Sequence, residues 1–365
     1  MDTIIMAHAD ILDLDQPAPR RARLVLARRL TDIVGLPESR LTPRERWIVG
    51  DLLHDILRAS DVDLRKRCAE RLADISDAPQ RLLRLLGSDT FEIAAPILER
   101  SKALSDFDMM EIARLGTLEH RLTLARRDKL SAVVTASLVA HSEPPVVVRI
   151  LRNETADIAS PTMDHIISAS KDEADYARHI IRRAELRPSQ AFRLFWWSEH
   201  GDRCAIIERF AVQRTILIEA VEDVFSMAAD ENWADPLVSK VLTYIDRRQR
   251  DRGAAEVSPY GSLEGAAAEM AMDGPQPGLV TEIAKLASIN RTLLVKMFDD
   301  MGGEAIAVLC KATGLKWDSF EAFWRGLGRP VPSAISEEAR KVYDSLSVEK
   351  AQTVLRYWNL SIDTD

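Results

Sequence analysis

The chain has 365 residues, of which 46% are hydrophobic and 29% are charged, which is ordinary for a soluble globular protein and excludes wholesale disorder. Its formal net charge of −8 opposes nonspecific attraction to nucleic acid or anionic lipid, although a local basic patch could still exist. No apolar run reaches the roughly 20 residues that cross a bilayer, and the start of the chain lacks the basic region of a signal peptide; we therefore expect a cytoplasmic protein.

The chain begins with a stretch that predicts no regular element. Residues 1–19 hold four acids and two prolines, and we expect a flexible N-terminal arm. From Arg20 onward nearly every segment has the 3.6-residue periodicity of helices, and the alternation typical of strands is absent. Helix starts are well marked: residues 42–45 combine a threonine cap, a proline and a capping-box glutamate, and residues 105–108 offer a similar arrangement. The chain therefore predicts an all-α fold.

Two internal similarities indicate stacked helical units. Residues 84–98 align with residues 149–163, with six identities that include Pro96 and Pro161, and residues 26–33 align with 68–75. Self-similarity at fixed spacing is the mark of a repeat architecture. We therefore predict a HEAT/ARM-like α-solenoid of antiparallel helix pairs over residues 20–252, in which both prolines lie inside the first helix of a pair and kink it.

Composition changes after this region. Residues 253–278 contain five of the fifteen glycines and three prolines, which predicts a Gly/Pro-rich linker with a short helix at 262–272. Residues 279–365 then form a smaller C-terminal helical domain. Its predicted helices are 279–288, 291–301, 304–313, 317–327, 334–346 and 348–359. Apolar residues of the last two helices either join two copies of the chain or fold back on residues 279–328; they are Val342, Tyr343, Leu346, Leu355, Tyr357 and Trp358.

Several ordered motifs carry a family resemblance. They lie at residues 88–101, 104–106, 124–127, 151–156, 182–186 and 192–198. Together they resemble the bacterial domain of unknown function 2336 family, found mainly in alphaproteobacteria, over about residues 40–330. The resemblance implies an α-helical, HEAT-like protein. It supplies no established activity, cofactor or catalytic residue.

Three adjacent arginine pairs occur in comparable contexts. They are Arg28 and Arg29, Arg126 and Arg127, and Arg182 and Arg183. Arginines along one face of a solenoid could bind phosphate, a nucleotide or an acidic partner, because guanidinium groups match such oxygens bidentately. Consecutive helical residues lie ~100° apart, however, so at most one of each pair can face the inner surface. The alternative is that one arginine of each pair caps a carbonyl or pairs with an aspartate while the other is solvated.

The densest aromatic cluster surrounds Trp196 and Trp197, next to Phe195. It could be an exposed stacking surface or a binding hot spot, or it could be the packed core of a terminal repeat. A HEAT-like DNA glycosylase would need such aromatic residues together with a carboxylate, for which Asp202 could serve, and a basic channel. The acidic balance of the chain argues against that function and against nucleic-acid binding in general.

The sequence contains no recognisable catalytic, cofactor or metal motif. Its three cysteines and seven histidines show no zinc-type spacing, and no phosphate-loop, dinucleotide or nucleophile-elbow string occurs. The pair Gly302 and Gly303 predicts a helix end and turn, and residues 282–296 predict an ordinary helical hairpin rather than a DNA-binding one. We therefore expect no enzyme, no catalytic residue, no cofactor and no metal.

The leading functional hypothesis is a noncatalytic helical-repeat scaffold or adaptor that binds a protein partner through its concave face, in bacterial signalling. The second is a sensor whose repeat arginines bind a nucleotide or another phosphate-containing small ligand. A homo-oligomer through the C-terminal helices is compatible with either, and membrane insertion is not expected.

Overall fold

The computed structural model describes residues 18–37, 39–230, 235–246 and 250–362. Of these residues, none is in a β-strand, and the all-α prediction is confirmed. The predicted N-terminal arm lies outside the described residues up to position 17, and the first described helix begins at Ala18. Among the described helices, none combines the length and the apolar character that crossing a membrane requires.

The helices group into two compact units, the first ending at Glu185 and the second beginning at Leu186. The helices of the first unit are α1 (Ala18–Val34), α2 (Pro43–Arg58), α3 (Val62–Leu72), α4 (Gln80–Gly87), α5 (Phe91–Arg100), α6 (Asp106–Leu115), α7 (Leu118–Leu124), α8 (Ala132–Val139), α9 (Pro144–Arg152), α10 (Ser160–Ala169) and α11 (Asp175–Ile180). The sequence predicts a domain boundary after residue 252. Because that boundary separates parts of the chain expected to fold independently, it stays a prediction.

The first unit is built in two layers. Each odd-numbered helix from α1 to α11 contacts the next odd-numbered one, and each even-numbered helix from α2 to α10 contacts the next even-numbered one. Neighbours in sequence pack across the layers, for example α1 on α2 and α4 on α5. Because no helix can cover its apolar face alone, the layers share one continuous core, the packing expected of an α-solenoid.

Local sequence signals set the helix starts as expected. The Thr42 hydroxyl accepts a hydrogen bond from the Glu45 backbone N–H, and the Glu45 carboxylate accepts one from the Thr42 backbone N–H, completing the predicted capping box. The pKa of Glu45 is lowered first by a hydrogen bond that the Thr42 hydroxyl donates to the Glu45 carboxylate, and then by the bond from the Thr42 backbone N–H. At the start of α6 the Ser105 hydroxyl caps the Asp108 N–H in the same manner. Each capping residue thus stands at the point where a connection ends and a helix begins.

The repeat length of the unit differs from the spacing of the stronger sequence similarity. Helices α4, α6, α8 and α10 begin at residues 80, 106, 132 and 160, so a helix pair recurs every 26 to 28 residues. HEAT and armadillo repeats are longer, about 40–47 residues. The 65-residue spacing corresponds to about two and a half of these pairs, and therefore residues 84–98 begin in the even-numbered layer whereas residues 149–163 begin in the odd-numbered one.

The two aligned prolines accordingly have different surroundings, and the prediction that both kink a first helix is wrong. Pro96 lies inside α5, whereas Pro161 lies in the first turn of α10, where a proline costs no backbone hydrogen bond. The segment that aligns with the start of α5 is a connection, residues 153–159. The weaker similarity does join neighbours in one layer, because residues 26–33 lie in α1 and residues 68–75 begin in α3.

The second unit, from Leu186 onward, is also built of helices. They are α12 (Pro188–Leu194), a 3-10 turn (Phe195–Trp197), α13 (His200–Phe210), α14 (Arg214–Ala220), α15 (Glu222–Asp230), α16 (Pro236–Asp246), α17 (Arg252–Val257), α18 (Leu263–Asp273), α19 (Pro277–Leu286), α20 (Arg291–Asp299), α21 (Glu304–Thr313), α22 (Trp317–Gly326), α23 (Ala334–Ser345) and α24 (Val348–Ile362). The six helices predicted over 279–359 are all present, with ends shifted by three residues or fewer.

Helix α21 is the centre of the second unit. All of its residues except Lys311 are buried, and α20, α22, α23 and α24 contact it. The helix predicted at 262–272 is present as α18, which buries Leu263 and Met270 and packs closely on α22. The second half of the predicted linker is therefore part of this core. Residues Val342, Leu346, Leu355 and Trp358 are buried within the same unit, as the fold-back alternative requires.

Candidate functional site

The second arginine of two predicted pairs caps a helix end. Arg127 donates from Nη1 to the Leu98 carbonyl and from Nη2 to the Ser101 carbonyl, both at 2.6 Å, at the C-terminal end of α5. Arg183 donates to the carbonyls of Asn153 and Ala156, at 2.7 and 2.6 Å, just beyond α9. Carbonyls at a helix end have no partner within the helix, so a buried guanidinium satisfies them and opposes the helix dipole.

These bonds belong to a longer series, which we call the capping ladder: Arg100, Arg127, Asn153 and Arg183. Arg100 donates to the Glu70 carbonyl in the last turn of α3. Asn153 donates to the carbonyls of Ala125 and Arg127 beyond α7. Each odd-numbered helix from α3 to α9 is thus capped by a side chain from the next odd-numbered helix or the connection after it. The arginines of the capping ladder therefore stabilise the ends of helices.

The first arginine of each of these two pairs lies at the surface, in the turn that follows its helix. Arg126 and Arg182 are exposed, while Arg28 is half-buried and Arg29 is exposed on α1. The three pairs lie in different repeats of the odd-numbered layer, with α3 and α5 between the first two and α9 between the last two. The structure therefore does not gather them into one groove.

Replacing Arg127 with methionine should destabilise the first unit by about 1–3 kcal/mol, because the substitution leaves two buried carbonyls without a donor. Burial lowers the pKa of the Arg127 guanidinium, as expected for a cation held inside the repeat. The measurement is urea unfolding followed by circular dichroism. Arg126→Met is the matched control and should stay within about 0.5 kcal/mol, since that side chain is exposed. Equal effects of the two substitutions would contradict a capping role.

The side chains of the predicted aromatic cluster pack against one another and are not fully exposed to solvent. Trp196 lies 5.2 Å from Trp358 and 5.6 Å from Phe195, between ring centroids, and the ammonium group of Lys296 lies 4.6 Å from its ring centroid. Trp196 and Trp197 are both half-buried, and Phe195 is fully buried. These contacts fit the interpretation of the cluster as core. The use of either tryptophan in binding stays a prediction.

Exposed aromatic side chains occur instead on the even-numbered layer of the first unit. Trp47 on α2 is 65% exposed and Phe107 on α6 is 60% exposed, which is unusual for such large apolar residues. Between them, α4 presents Arg81 and Arg84, whose side chains are about half exposed. We call these four residues the aromatic–arginine row. Sequence reasoning did not single out any of them.

The row is continuous across three helices. Arg81 forms an ion pair with Asp51 of α2. Arg84 donates from Nε to the buried carboxylate of Asp108 at 2.7 Å, and its guanidinium carbon lies 5.3 Å from the Phe107 ring centroid, a cation–π distance. The arginines are thereby held in place while one side of each guanidinium still faces solvent.

A groove of about 660 Å³ runs beside Trp47 between α2 and the start of α4. Gly50 lets the two elements approach, because a Cβ at that position would lie 2.8 Å from Cγ of Pro79. The groove is lined by Arg46, Trp47, Asp51, Pro79, Arg81 and Arg84, among others. Arg46 is itself committed to the carbonyls of Val34 and Leu36 at the end of α1, and therefore Arg81 and Arg84 are the cations that a bound segment would meet.

A buried ion cluster lies at the heart of the second unit. Arg203 of α13 donates to Asp300 Oδ2 at 2.9 Å and to Glu304 Oε2 at 2.7 Å, and its Nε donates to the Ser198 carbonyl. All three charged residues are less than 10% exposed. Burial alone would lower the pKa of Arg203, but its bonds to Asp300 and Glu304 outweigh burial and raise it. Gly302 makes room for the cluster, since a Cβ there would lie 2.2 Å from Arg203 Nη1.

One histidine and one cysteine extend this cluster. The second carboxylate oxygen of Glu304 lies 2.8 Å from His200 Nδ1, and His200 Nε2 lies 3.6 Å from the Sγ atom of Cys204. Burial, followed by the charge of Glu304, raises the pKa of the Cys204 thiol, the opposite of what a nucleophilic thiolate needs. Across the described parts of the chain, no group of three or more histidine, cysteine or acidic residues could hold a metal ion.

Comparison with known proteins places the chain in a family. A model of the family described as "Uncharacterised protein conserved in bacteria (DUF2336)" matches residues 93–356, nearly three quarters of the chain. The chain belongs to the DUF2336 family. No curated protein matches it, and neither does any solved structure. The family resemblance inferred from the sequence motifs is thereby confirmed, although the match begins and ends later in the chain than those motifs indicated.

Some of the structural features lie inside the DUF2336 region and others precede it. It contains all four residues of the capping ladder, the buried ion cluster, Phe107 and the central helix α21. Trp47, Arg81 and Arg84 precede it. The groove beside Trp47 is therefore built by a part of this chain that the DUF2336 model does not cover, whereas the far end of the aromatic–arginine row lies inside it.

Proposed function

We propose that this protein is a noncatalytic, cytoplasmic helical-repeat adaptor that binds an extended segment of a protein partner along the aromatic–arginine row. The observation that carries the proposal is the exposure of Trp47 and Phe107 at the two ends of a row whose arginines are already ordered. Tryptophan and arginine are enriched among the few residues that carry most of the binding energy of protein interfaces.

The groove also defines the kind of segment that fits. A volume of about 660 Å³ holds several side chains and not a folded domain. Arg81 and Arg84 each have a carboxylate on one side and solvent on the other, so further acceptors can approach them. A segment with one or two apolar anchors, and with acidic residues placed at Arg81 and Arg84 and away from Asp77 of the lining, would be complementary to this surface in both shape and charge.

Trp47→Ala should weaken the binding of such segments by about 2 kcal/mol, roughly thirtyfold in Kd, because it removes the largest exposed apolar group of the groove. The measurement begins with selection of random linear peptides, displayed on phage, against the full chain. Enriched peptides are then synthesised and titrated into purified wild type and variants by biolayer interferometry. We expect acidic and apolar residues to be enriched together.

Leu26→Ala is the matched control for this experiment. Leu26 is 50% exposed on α1, in the other layer, so its truncation removes a comparable exposed side chain away from the groove. It should leave the affinity within about twofold. The proposal fails if selection enriches no acidic–apolar peptide, or if the enriched peptides bind the Trp47→Ala and wild-type proteins equally well.

A further inference from the structure

A pocket of about 320 Å³ lies at the ends of α9 and α11, within the first unit. The residues that line it include Arg152, Arg182, Arg183 and His179. Arg152 donates from Nε to His179 Nε2 at 3.3 Å, and His179 is 8% exposed. A buried imidazole thus holds the inner edge of the Arg152 guanidinium and leaves its two Nη groups available to a ligand.

Helix C-terminal ends attract cations, and this attraction alone could place arginines at the pocket. Arg183 already fills that role, since it donates to the carbonyls of Asn153 and Ala156 beyond α9 and pairs with Glu185. The backbone N–H of Arg182 donates to the His179 carbonyl, but the Arg182 guanidinium has no hydrogen bond and no ion pair within the parts of the chain that the structure describes. Its charge is therefore surplus to the capping of the helix.

The acidic residues that line the pocket do not neutralise the positive charge of Arg182. Glu185 is engaged by Arg183 at 2.5 Å. Glu154, the other acid of the pocket, forms no ion pair with any residue that the structure describes. The pKa of His179 lies below its ordinary value. Burial is the largest cause, the positive charges of Arg152, Arg178 and Arg182 act in the same direction, and the charge of Asp175 opposes them.

We propose that this pocket binds a small phosphate-bearing anion, gripped between the guanidinium groups of Arg152 and Arg182. Both arginines line one pocket. Two guanidinium groups suit the several oxygens of a phosphate group, because each of those oxygens accepts charge-assisted hydrogen bonds. The pocket can hold a phosphate group together with a small organic substituent. This anion site is separate from the aromatic–arginine row, so either can fail without the other.

The test titrates the full-length protein with inorganic phosphate and, separately, with adenosine monophosphate, by isothermal titration calorimetry. Arg182→Gln should weaken both by about tenfold or more, since one of two charge-assisted contacts is lost. Arg126→Gln removes the same charge from an equally exposed arginine after α7 and should change both affinities less than about twofold. Glu154→Gln should tighten binding, because it removes the free acid of the lining.

Equal affinities for the two anions would show that the pocket recognises the phosphate group alone. Tighter binding of the nucleotide would show that it recognises the nucleoside as well.

A second measurement reports on the pocket directly. Saturating phosphate should raise the pKa of His179, followed by NMR through the imidazole resonance that disappears in a His179→Gln variant, because a bound anion stabilises the imidazolium form. The anion site is refuted if neither anion binds the wild-type protein. It is equally refuted if Arg126→Gln weakens binding as much as Arg182→Gln, or if the His179 pKa does not move.

Discussion

Replacing Arg203 with methionine should lower the free energy of unfolding of the second unit by about 3–5 kcal/mol, the cost of breaking a buried ion pair by removing one partner. Asp300 and Glu304 would remain in a buried setting without their cation, and the Ser198 carbonyl would lose a donor. Urea unfolding followed by tryptophan fluorescence measures this effect well, because six of the seven tryptophans follow residue 186.

Two further variants separate charge burial from simple loss of volume. Arg325→Met removes an arginine whose contact with Glu321 is long, at 3.9 Å, and exposed, so it should cost less than about 0.5 kcal/mol. Combining Arg203→Met with Asp300→Asn and Glu304→Gln should recover part of the loss, because no unpaired charge remains. A loss below about 1 kcal/mol for Arg203→Met alone would show that the cluster does not hold the unit together.

Trp358→Ala should destabilise the second unit by a similar amount, about 3–5 kcal/mol, through the cavity that it leaves. Trp358 is fully buried, and its ring centroid lies 4.8 Å from that of Phe195 and 5.2 Å from that of Trp196. The side chain thus anchors α24 to the segment before α13. The midpoint of urea unfolding should fall, with little change in the denaturant slope.

Two controls test whether packing is the cause. Trp47→Ala removes an exposed tryptophan and should leave stability within about 0.5 kcal/mol. Trp358→Phe should cost less than half as much as Trp358→Ala. It keeps an aromatic ring in place and removes the indole Nε1–H, which finds no hydrogen-bond acceptor in the described structure. If Trp358→Phe is as damaging as Trp358→Ala, loss of ring packing is not the explanation.

Much of the fold could be predicted from the sequence, because helix signals are local. The caps at Thr42 and Ser105 depend on neighbours three residues away, and both are present. The helices of residues 279–359 follow from a periodicity that burial around α21 reinforces. The repeat length was less accessible, since similarity at a spacing of about two and a half helix pairs aligns segments in opposite layers.

The candidate sites were harder to find, because they depend on contacts between distant residues. Arg127 and Arg126 look alike in sequence, yet one is tied to carbonyls 26 and 29 positions earlier and the other is solvated. Trp47 could have been noticed as an apolar residue flanked by the polar positions Arg44 and Asp51 of its own helix. Arg152 became relevant only through α11, which brings His179 to its guanidinium.

The capping ladder runs in one direction, and this has a consequence for biosynthesis. The carbonyls at or just beyond the C-terminal ends of α5, α7 and α9 receive their donors from residues 26 to 30 positions further along the chain. As the polypeptide leaves the ribosome, each helix end therefore stays frayed until the next pair has emerged, and every newly made repeat secures the one before it. A nascent chain stalled in this region would always carry one unsecured terminus, at its youngest helix.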